Sequence, residues 1–376
     1  MKKTFLMSSL LALTLALTSC QGSETTEKTS DTKSNVESSQ VTKTSSGKEE
    51  FVVEVVAKGF QHQFWKTVND GANKAASDLG AKITFQGPKS ETDIQEQVQM
   101  LNNAINKKPN AIALAALDTK AEIDALNAAK SNGIPIIGFD SGVPDAPEGT
   151  VLATAATDNV NAASLAAEKH FEALKDKLEK ATADNPVRLG VVSQEVNSSS
   201  ITDRTKGYID KMKELLSSLD NVKDKVAVTG HDKFKEGVSE DEAVVIIELR
   251  VPAQVTDADG QTQAQTLLNK EDLIGIYGSN EFGAKAIINA DNAVGGKIGK
   301  DVVAVGFDSG ELQINAVKSK QFLGSVTQDP FQIGYKAVEL SVKAAKGEKV
   351  EDVDTGAKWY DASNIDSDEI APLLYK

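Results

Sequence analysis

The segments "IPIIGFDSG" at 134–142 and "DVVAVGFDSG" at 301–310 decide the fold that we predict for this chain. In both, an apolar run long enough for one buried strand ends in the same pentapeptide, GFDSG. Its aspartates are Asp140 and Asp308. Because the same acidic turn closes two separate apolar runs, the sequence indicates that a structural unit has been duplicated.

The duplication extends beyond the pentapeptide. "NAIALAALD" (110–118) precedes the first copy and "LIGIYGSNE" (273–281) precedes the second, each separated from it by a helix-like segment. Both copies therefore have the pattern strand, helix, strand, and Asp118 and Asn280 hold similar places in them. Strands that alternate with helices predict an α/β fold with parallel sheets covered on both faces.

Two such alternating regions are predicted, from Phe51 to Asp140 and from Asn185 to Asp308. The chain of 376 residues is long enough for two compact lobes, each with its own core. The polar segment His231–Glu242 interrupts the second region and is predicted to be a surface insertion. A last strand at 322–328 and a helix at 330–347 follow.

Ligands of parallel α/β sheets bind just beyond the carboxyl ends of the strands. Two similar lobes that face each other would bring both acidic turns to one cleft, together with Asp118 and Asn280. Asp140 and Asp308 are therefore predicted to bind one ligand from opposite sides. The alternative for each aspartate is a helix N-cap, where a carboxylate accepts hydrogen bonds from the first N–H groups of a helix.

The segment "AKGFQHQFW" (57–65) places two aromatic residues, Phe64 and Trp65, just after the first strand, at the start of a helix. Aromatic faces pack against the C–H faces of sugars, while carboxylates and amides hydrogen-bond to hydroxyl groups. This combination predicts a carbohydrate site. The alternative is that one of the pair belongs to the core of an amphipathic helix.

The common catalytic motifs are missing from the sequence. The three histidines are scattered, no HExxH or GxSxG segment is present, and "GGKIG" (295–299) lacks the spacing of a P-loop. A single cysteine excludes an intramolecular disulfide and a thiolate metal cluster. We therefore predict a binding protein, not an enzyme, with no catalytic residues, no metal and no cofactor.

The N-terminus has the pattern of a secretion signal. A basic "MKK" precedes an apolar run that ends at Ser19, and "LTSC" (17–20) resembles a bacterial lipobox. We therefore predict a signal peptide at 1–19 and a lipid on Cys20, with an incidental cysteine near the cleavage site as the alternative. Residues 21–50 hold no aromatic side chain and few apolar ones, which predicts a flexible tether over 20–50.

The order of motifs after residue 51 resembles that of the ribose-binding family, the type I periplasmic solute-binding proteins of bacterial ABC sugar importers. The motifs are "DGANKAASDLG", "IPIIGFDSG", "ATDNV", "DRTKGY", "GSNEFGAKA", "AVGFDSG" and "TQDPFQIG". The resemblance covers about 52–360. It implies two Rossmann-like lobes joined by a hinge of three chain crossings, with the lobes at 51–157 plus 329–356 and at 158–328 plus 357–376.

The resemblance also implies roles for individual residues. Phe64 and Trp65 would stack on a sugar ring, and Arg204 would support the site. Hydroxyl binding is implied for polar side chains of both lobes and the hinge, which are Asp140, Asn280, Asp308 and Gln328.

Four positions depart from the ribose-binding pattern. Ser141 and Thr202 stand where ribose receptors carry arginines, His62 replaces an asparagine, and Lys58 lies near a serine position. These side chains are expected in the ligand site, but the loss of two bidentate arginines argues against ribose itself. "ITFQGP" (83–88) and Lys58 resemble receptors for furanosyl quorum-sensing signals, so that ligand class stays an alternative.

The resulting hypothesis is a lipoprotein anchored on the extracytoplasmic face of the cell membrane. It would capture a small carbohydrate by hinge closure and deliver it, as a monomer, to the membrane permease of an ABC transporter. The net charge of −14 argues against a nucleic-acid partner, which basic surfaces bind. A LacI-type regulator shares this fold and is the remaining alternative, but it would carry a DNA-binding unit where this chain has a signal.

Overall fold

The computed structural model describes residues 51–60 and 62–376. The predicted signal peptide, Cys20 and the tether therefore lie outside the described residues. Within the described part, strands and helices alternate as the apolar pattern predicts. Gly80 ends the first helix in the left-handed region, with φ of 66°, as its place in the sequence suggests.

The strands of the described part are short and mostly buried. They are β1 (Phe51–Val56), β2 (Ala81–Gln86), β3 (Ala111–Leu114), β4 (Ile136–Phe139), β5 (Ala153–Ala156), β6 (Val187–Val192), β7 (Val226–Thr229), β8 (Glu236–Gly237), β9 (Val245–Arg250), β10 (Leu273–Gly278), β11 (Val303–Phe307), β12 (Gly324–Gln328), β13 (Val353–Asp354) and β14 (Ala357–Asp361).

The helices of the described part cover the faces of the sheets. They are α1 (Gln63–Leu79), α2 (Ile94–Asn106), α3 (Ile123–Ser131), α4 (Asn159–Leu178), α5 (Ser199–Leu216), α6 (Asp257–Leu268), α7 (Glu281–Val294), α8 (Glu311–Lys318) and α9 (Pro330–Ala345). None of these described helices has the length and apolar content that a membrane crossing requires. Helix α4 was not predicted, because much of its buried face consists of alanines, which give a weak hydrophobic period.

The strands form two sheets, one in each lobe. In the first lobe the order is β13-β5-β4-β3-β1-β2, and all pairs are parallel. In the second lobe the order is β14-β12-β11-β10-β6-β9-β7-β8. The central pairs are again parallel, whereas the edge strands β14 and β8 are antiparallel to their neighbours. The run β5-β4-β3-β1-β2 thus has the same order as β12-β11-β10-β6-β9, which explains the repeated sequence.

The chain passes between the lobes three times. After β5 it enters α4, which packs on β11 and β12 of the second sheet. After β12 it enters α9, which packs on the first sheet beside α1. After β13 it enters β14 of the second sheet. Each lobe is therefore completed by a helix from the crossing that follows β5 or β12, which hold corresponding places in the two sheets.

Two glycines allow α1 and α9 to pack closely. A Cβ atom at Gly71 would lie 2.0 Å from the carbonyl oxygen of Phe331, and one at Gly334 would lie 1.8 Å from that of Val68. Both distances are far shorter than van der Waals contact. The position of α9 on the first lobe therefore depends on glycine at both sites.

The polar segment His231–Glu242 lies on the surface as predicted, and it belongs to a larger addition. The chain forms β7 at the edge of the second sheet and returns through β8, which pairs with β7, before it enters β9. Among residues 51–60 and 62–376, the sheet of the first lobe ends at β2 and has no strand in the place of β7. Lys233 of this segment donates hydrogen bonds to the carbonyl oxygen of Val196 (2.6 Å) and to Oγ1 of Thr202 (3.3 Å).

Candidate functional site

The carboxyl ends of both sheets border one cavity with an empty volume of about 320 Å³. Residues that follow strands supply much of its wall, because the parallel strands of each lobe end at the same edge. Most of the predicted ligand residues are among the described residues of the wall, which are Lys58, His62, Phe64, Trp65, Glu91, Asp140, Ser200, Ile201, Arg204, Asn280, Glu281, Asp308 and Gln328.

Both copies of the GFDSG turn hold their aspartate in the left-handed backbone region, with φ of 56° at Asp140 and 73° at Asp308. Aspartate tolerates this region better than most residues with a Cβ atom. Both side chains line the cavity. The N-cap alternative is wrong for Asp140, since β4 leads to β5 rather than to a helix. Asp308 is not the N-cap of the helix that follows it, which is Gly310, but its carboxylate accepts the first N–H of α7, from Glu281.

Asp308 organises the second-lobe side of the cavity. Its Oδ2 accepts hydrogen bonds from Nη1 of Arg204 and from the backbone N–H of Glu281, each at 3.1 Å. Its Oδ1 accepts from Nε2 of Gln328 at 2.6 Å. Arg204 also donates to Oδ1 of Asn159 (2.7 Å) and is only 3% exposed. The carboxylate is thus satisfied largely by the protein, and Arg204 fixes it in place.

Asp140 occupies the first-lobe side and has fewer partners. Its Oδ2 lies 3.8 Å from Nζ of Lys58, and the residue is 4% exposed. Burial raises the pKa of Asp140, against the opposing charges of Lys58 and Arg204, and the carboxylates of Glu91 and Asp308 add to the increase. Asp140 therefore retains acceptor capacity for a ligand hydroxyl.

The aromatic pair belongs both to the core and to the cavity wall. Phe64 is 6% and Trp65 2% exposed, their rings make an edge contact with centroids 5.1 Å apart, and both pack in the first-lobe core. Nε1 of Trp65 donates to Oε1 of Glu91 at 2.7 Å, which orients the indole at the cavity. The pair therefore lies both in the core of the first lobe and in the wall of the cavity, the two positions that the sequence allowed.

His62 lies between carboxylates of opposite lobes. Its Nε2 is 3.7 Å from Oε1 of Glu91, and its Nδ1 is 3.8 Å from Oε2 of Glu281. Burial acts to raise the pKa of Glu91, but His62, Lys58 and two hydrogen-bond donors together hold it below its usual value. For Glu281, burial outweighs the opposing charge of His62 and raises the pKa to about 7.

Asn280 combines a structural role with a place in the cavity wall. Its Oδ1 accepts the N–H of Gly283 at 3.0 Å, so it caps the start of α7. Its Nδ2 donates to Oε1 of Gln194 at 2.8 Å, and Gln194 in turn donates to Oε2 of Glu91 at 3.1 Å. This chain of hydrogen bonds links the second lobe to the first across the cleft.

Serines at the start of α5 join the lobes beside the cavity. Nζ of Lys58 donates to Oγ of Ser198 (3.4 Å) and of Ser200 (3.3 Å). The hydroxyl of Ser141 lies 3.1 Å from that of Ser199. Ser141 is therefore an interlobe contact and is not part of the cavity wall formed by the described residues.

Two further predicted residues lie away from the cavity. The carboxylate of Asp118 accepts the backbone N–H groups of Lys120 (2.8 Å) and Ala121 (2.9 Å), so it stabilises its own turn before α3. Thr202 faces the inserted segment through Lys233. Asn280 lines the cavity although its sequence position matches that of Asp118.

Sequence reasoning missed four residues of the cavity wall, which are Glu91, Ser200, Ile201 and Glu281. Glu281 directly follows Asn280 and Glu91 lies shortly after β2, so the strand-end rule could have found both. Nothing local in the sequence distinguishes Ser200 and Ile201 from the other residues of the first turn of α5.

Comparison with known proteins places this arrangement in a family. Residues 52–349 match the model of the periplasmic binding protein domain. The chain belongs to the periplasmic binding protein family. The predicted fold, two parallel-sheet lobes of the type I periplasmic binding proteins, is confirmed. The resemblance to the ribose-binding proteins is also confirmed.

Several relatives share nearly the whole length of this periplasmic binding protein. The ribose import binding protein of Haemophilus influenzae is 24% identical over 308 residues, which cover 82% of this chain and 90% of the relative. A solved structure from Brachyspira murdochii, described as an ABC transporter, LacI family transcriptional regulator, is 39% identical with a TM-score of 0.72, covering 87% and 99% of the two chains. An ABC transporter solute binding protein from Agrobacterium vitis with bound D-fucose is 29% identical with a TM-score of 0.70, covering 86% and 100%.

Proposed function

We propose that this protein is the extracytoplasmic substrate-binding component of an ABC importer and that it captures a small carbohydrate between its lobes. The observation that carries the proposal is the lining of this cavity, which combines two aromatic rings with hydrogen-bonding groups from both lobes. Aromatic faces and carboxylates at one cavity suit the apolar faces and hydroxyl groups of a sugar. The ribose and D-fucose binding of two relatives supports this ligand class.

Binding and closure would be coupled through the two GFDSG turns. Asp140 comes from the lobe of 51–157 plus 329–356, and Asp308 from that of 158–328 plus 357–376. Bringing the carboxylates together in a closed cleft costs hydration and creates repulsion. A sugar that donates hydroxyl hydrogens to both sides offsets this cost, so the closed form gains population when the sugar binds. Nothing in this account requires a catalytic group, which agrees with relatives that are transport binding proteins.

The proposal is tested by a thermal-shift panel of pentoses, hexoses, ketoses, polyols and a furanosyl signal compound, followed by calorimetric titration of the compounds that stabilise the protein. A ligand at 100 times its Kd adds about 2.7 kcal/mol to the free energy of unfolding, which such a panel detects. Stabilisation by one sugar class identifies the ligand class. A response to the furanosyl compound alone would favour the signal-receptor alternative, and no response to any compound would contradict the proposal.

We further propose that the mature protein is a monomer tethered to the outer face of the membrane through a lipid on Cys20, where it meets its permease. "LTSC" at the end of the apolar run and the polar segment behind it support the anchor. A Cys20→Ala variant should lose membrane association in cell fractionation, while its thermal melt matches that of the wild type. Membrane association that is unchanged in this variant would refute the anchor.

The LacI description of the Brachyspira murdochii relative keeps a regulator as the second candidate function. A gel-shift assay distinguishes a regulator from an importer component. It uses DNA from the upstream region of the gene, with and without the sugar that the panel identifies. Sugar-dependent DNA binding would favour the regulator, and the net charge of −14 leads us to expect none.

A further inference from the structure

The charged groups that line the cavity do not balance. Four carboxylates face two permanent cations and one histidine, namely Glu91, Asp140, Glu281 and Asp308 against Lys58, Arg204 and His62. Arg204 pairs with Asp308 at 3.1 Å, and Lys58 lies 3.8 Å from Asp140. The remaining two carboxylates, those of Glu91 and Glu281, come from different lobes and lie on the two sides of His62.

We call this group, His62 with Glu91 and Glu281, the His62 corner. Glu91 is held by Nε1 of Trp65 at 2.7 Å, so it cannot turn away from the cavity without losing this bond. Oε2 of Glu281 is sealed from solvent and accepts no hydrogen bond from any of the residues that the structure describes. Its other oxygen lies against Gly310, where a Cβ atom would come within 2.9 Å of Oε1.

A sealed carboxylate oxygen without a donor is costly, because burial removes water that nothing replaces. The raised pKa of Glu281 has this origin: burial is its main cause, and the charges of Asp308 and Glu91 add to it against the effect of His62. A cation beside Oε2 of Glu281 would supply the missing hydrogen bond and offset the repulsion from Asp308 and Glu91.

We propose that the His62 corner binds an ammonium group and that the ligand of this cavity is an amino sugar. The inference rests on the proposed function and names its substrate class. An ammonium group carries three donors, so it can supply the hydrogen bond that Oε2 of Glu281 lacks and still offer donors to other acceptors of the ligand site. Asp140 and the Asp308 side of the cavity would then bind the hydroxyl groups of the same ligand.

The test is calorimetric titration of the full-length protein with sets of three compounds. Each set contains a 2-amino, 3-amino or 6-amino deoxyhexose, its parent hexose, and its neutral N-acetyl derivative as a control for the added nitrogen. We expect at least one amino sugar to bind at least about tenfold more tightly than both neutral partners, as charge-assisted hydrogen bonds allow. Glu281→Gln should remove this advantage.

Glu311→Gln is the matched control, because Glu311 is an exposed residue of the first turn of α8 outside the cavity wall. It should keep the preference for the amino sugar. A thermal melt shows whether Glu281→Gln folds. If it does not, the comparison of the three compounds on the wild-type protein still shows whether the cavity prefers the amino sugar.

Parent hexoses that bind as tightly as their amino partners would overturn the ammonium subsite and leave the proposed function intact. Neutral sugars whose affinity falls with rising pH in the wild type, but not in Glu281→Gln, would also overturn it, since Glu281 would then act as a protonated donor to a hydroxyl. Failure of every sugar to bind would overturn both proposals.

Discussion

Removing the charge of Asp308 should destabilise the second lobe strongly, because it leaves a buried guanidinium without its ion pair. Asp308→Asn keeps a side chain that tolerates φ of 73°, so the change isolates the charge from backbone strain. Arg204 is 3% exposed and its Nη1 donates to Asp308 Oδ2 at 3.1 Å. Loss of one member of a buried pair costs about 3–5 kcal/mol, and we expect about 3 kcal/mol because Arg204 keeps Asn159 and its contact with the Phe307 ring.

The loss in the free energy of unfolding is measured by urea unfolding, followed by tryptophan fluorescence, in a double-mutant cycle. Arg204→Met alone leaves the Asp308 carboxylate with Gln328 and one backbone donor, so its loss should be smaller than that of Asp308→Asn. The double variant removes both charges and should be more stable than the sum of the two losses predicts, by at least about 1 kcal/mol. Asp308→Ala should lose about 1 kcal/mol more than Asp308→Asn from left-handed strain.

Additive losses in the cycle, or a loss below about 1 kcal/mol for Asp308→Asn, would refute the reasoning that Asp308 and Arg204 form a coupled buried pair. The sequence alone led us to expect that Asp308 acts on the ligand and not on stability. The carboxylate of Asp308 accepts hydrogen bonds from three donors of the protein. We therefore expect its removal to reduce both ligand affinity and stability.

Asp140→Asn should weaken binding of the identified sugar about tenfold with little change in the thermal melt, because Asp140 has one distant cation partner; unchanged affinity in calorimetry would argue against a ligand contact. In a Trp359→Phe background, saturating sugar should still change the emission of Trp65, which lines the cavity, and a silent signal would make Trp65 a core residue only. Gly334→Ala should cost about 3 kcal/mol in urea unfolding, because its Cβ would lie 1.8 Å from the Val68 carbonyl oxygen, and a neutral effect would refute that packing. Burial lowers the pKa of His170 from 6.5 to about 4, so the unfolded chain takes up a proton first as the pH falls through this window. The free energy of unfolding should therefore drop by about 2 kcal/mol between pH 7.5 and pH 5, and His170→Gln should remove this part of the pH dependence.

The fold could be predicted from the sequence because its signals are local. Apolar runs that end in polar turns identify buried parallel strands, and the repeated GFDSG indicated two lobes that share one strand order. The strand-end rule then brought Asp140, Asn280 and Asp308 to the cavity without any knowledge of the packing. Helix α4 escaped prediction because its alanine-rich buried face contrasts little with its surface.

The role of each side chain at the strand ends was decided only by the tertiary structure. Asp118 stabilises its own turn, whereas Asp140, whose backbone is in the left-handed region, lines the cavity. The partners of Asp308 and Glu91 come from distant parts of the chain, so no local pattern could indicate that Arg204 fixes one carboxylate or that Trp65 holds the other. A sequence determines which groups arrive at a strand end, but burial and partners from other elements determine their charge and direction, because both depend on atoms that only folding brings together.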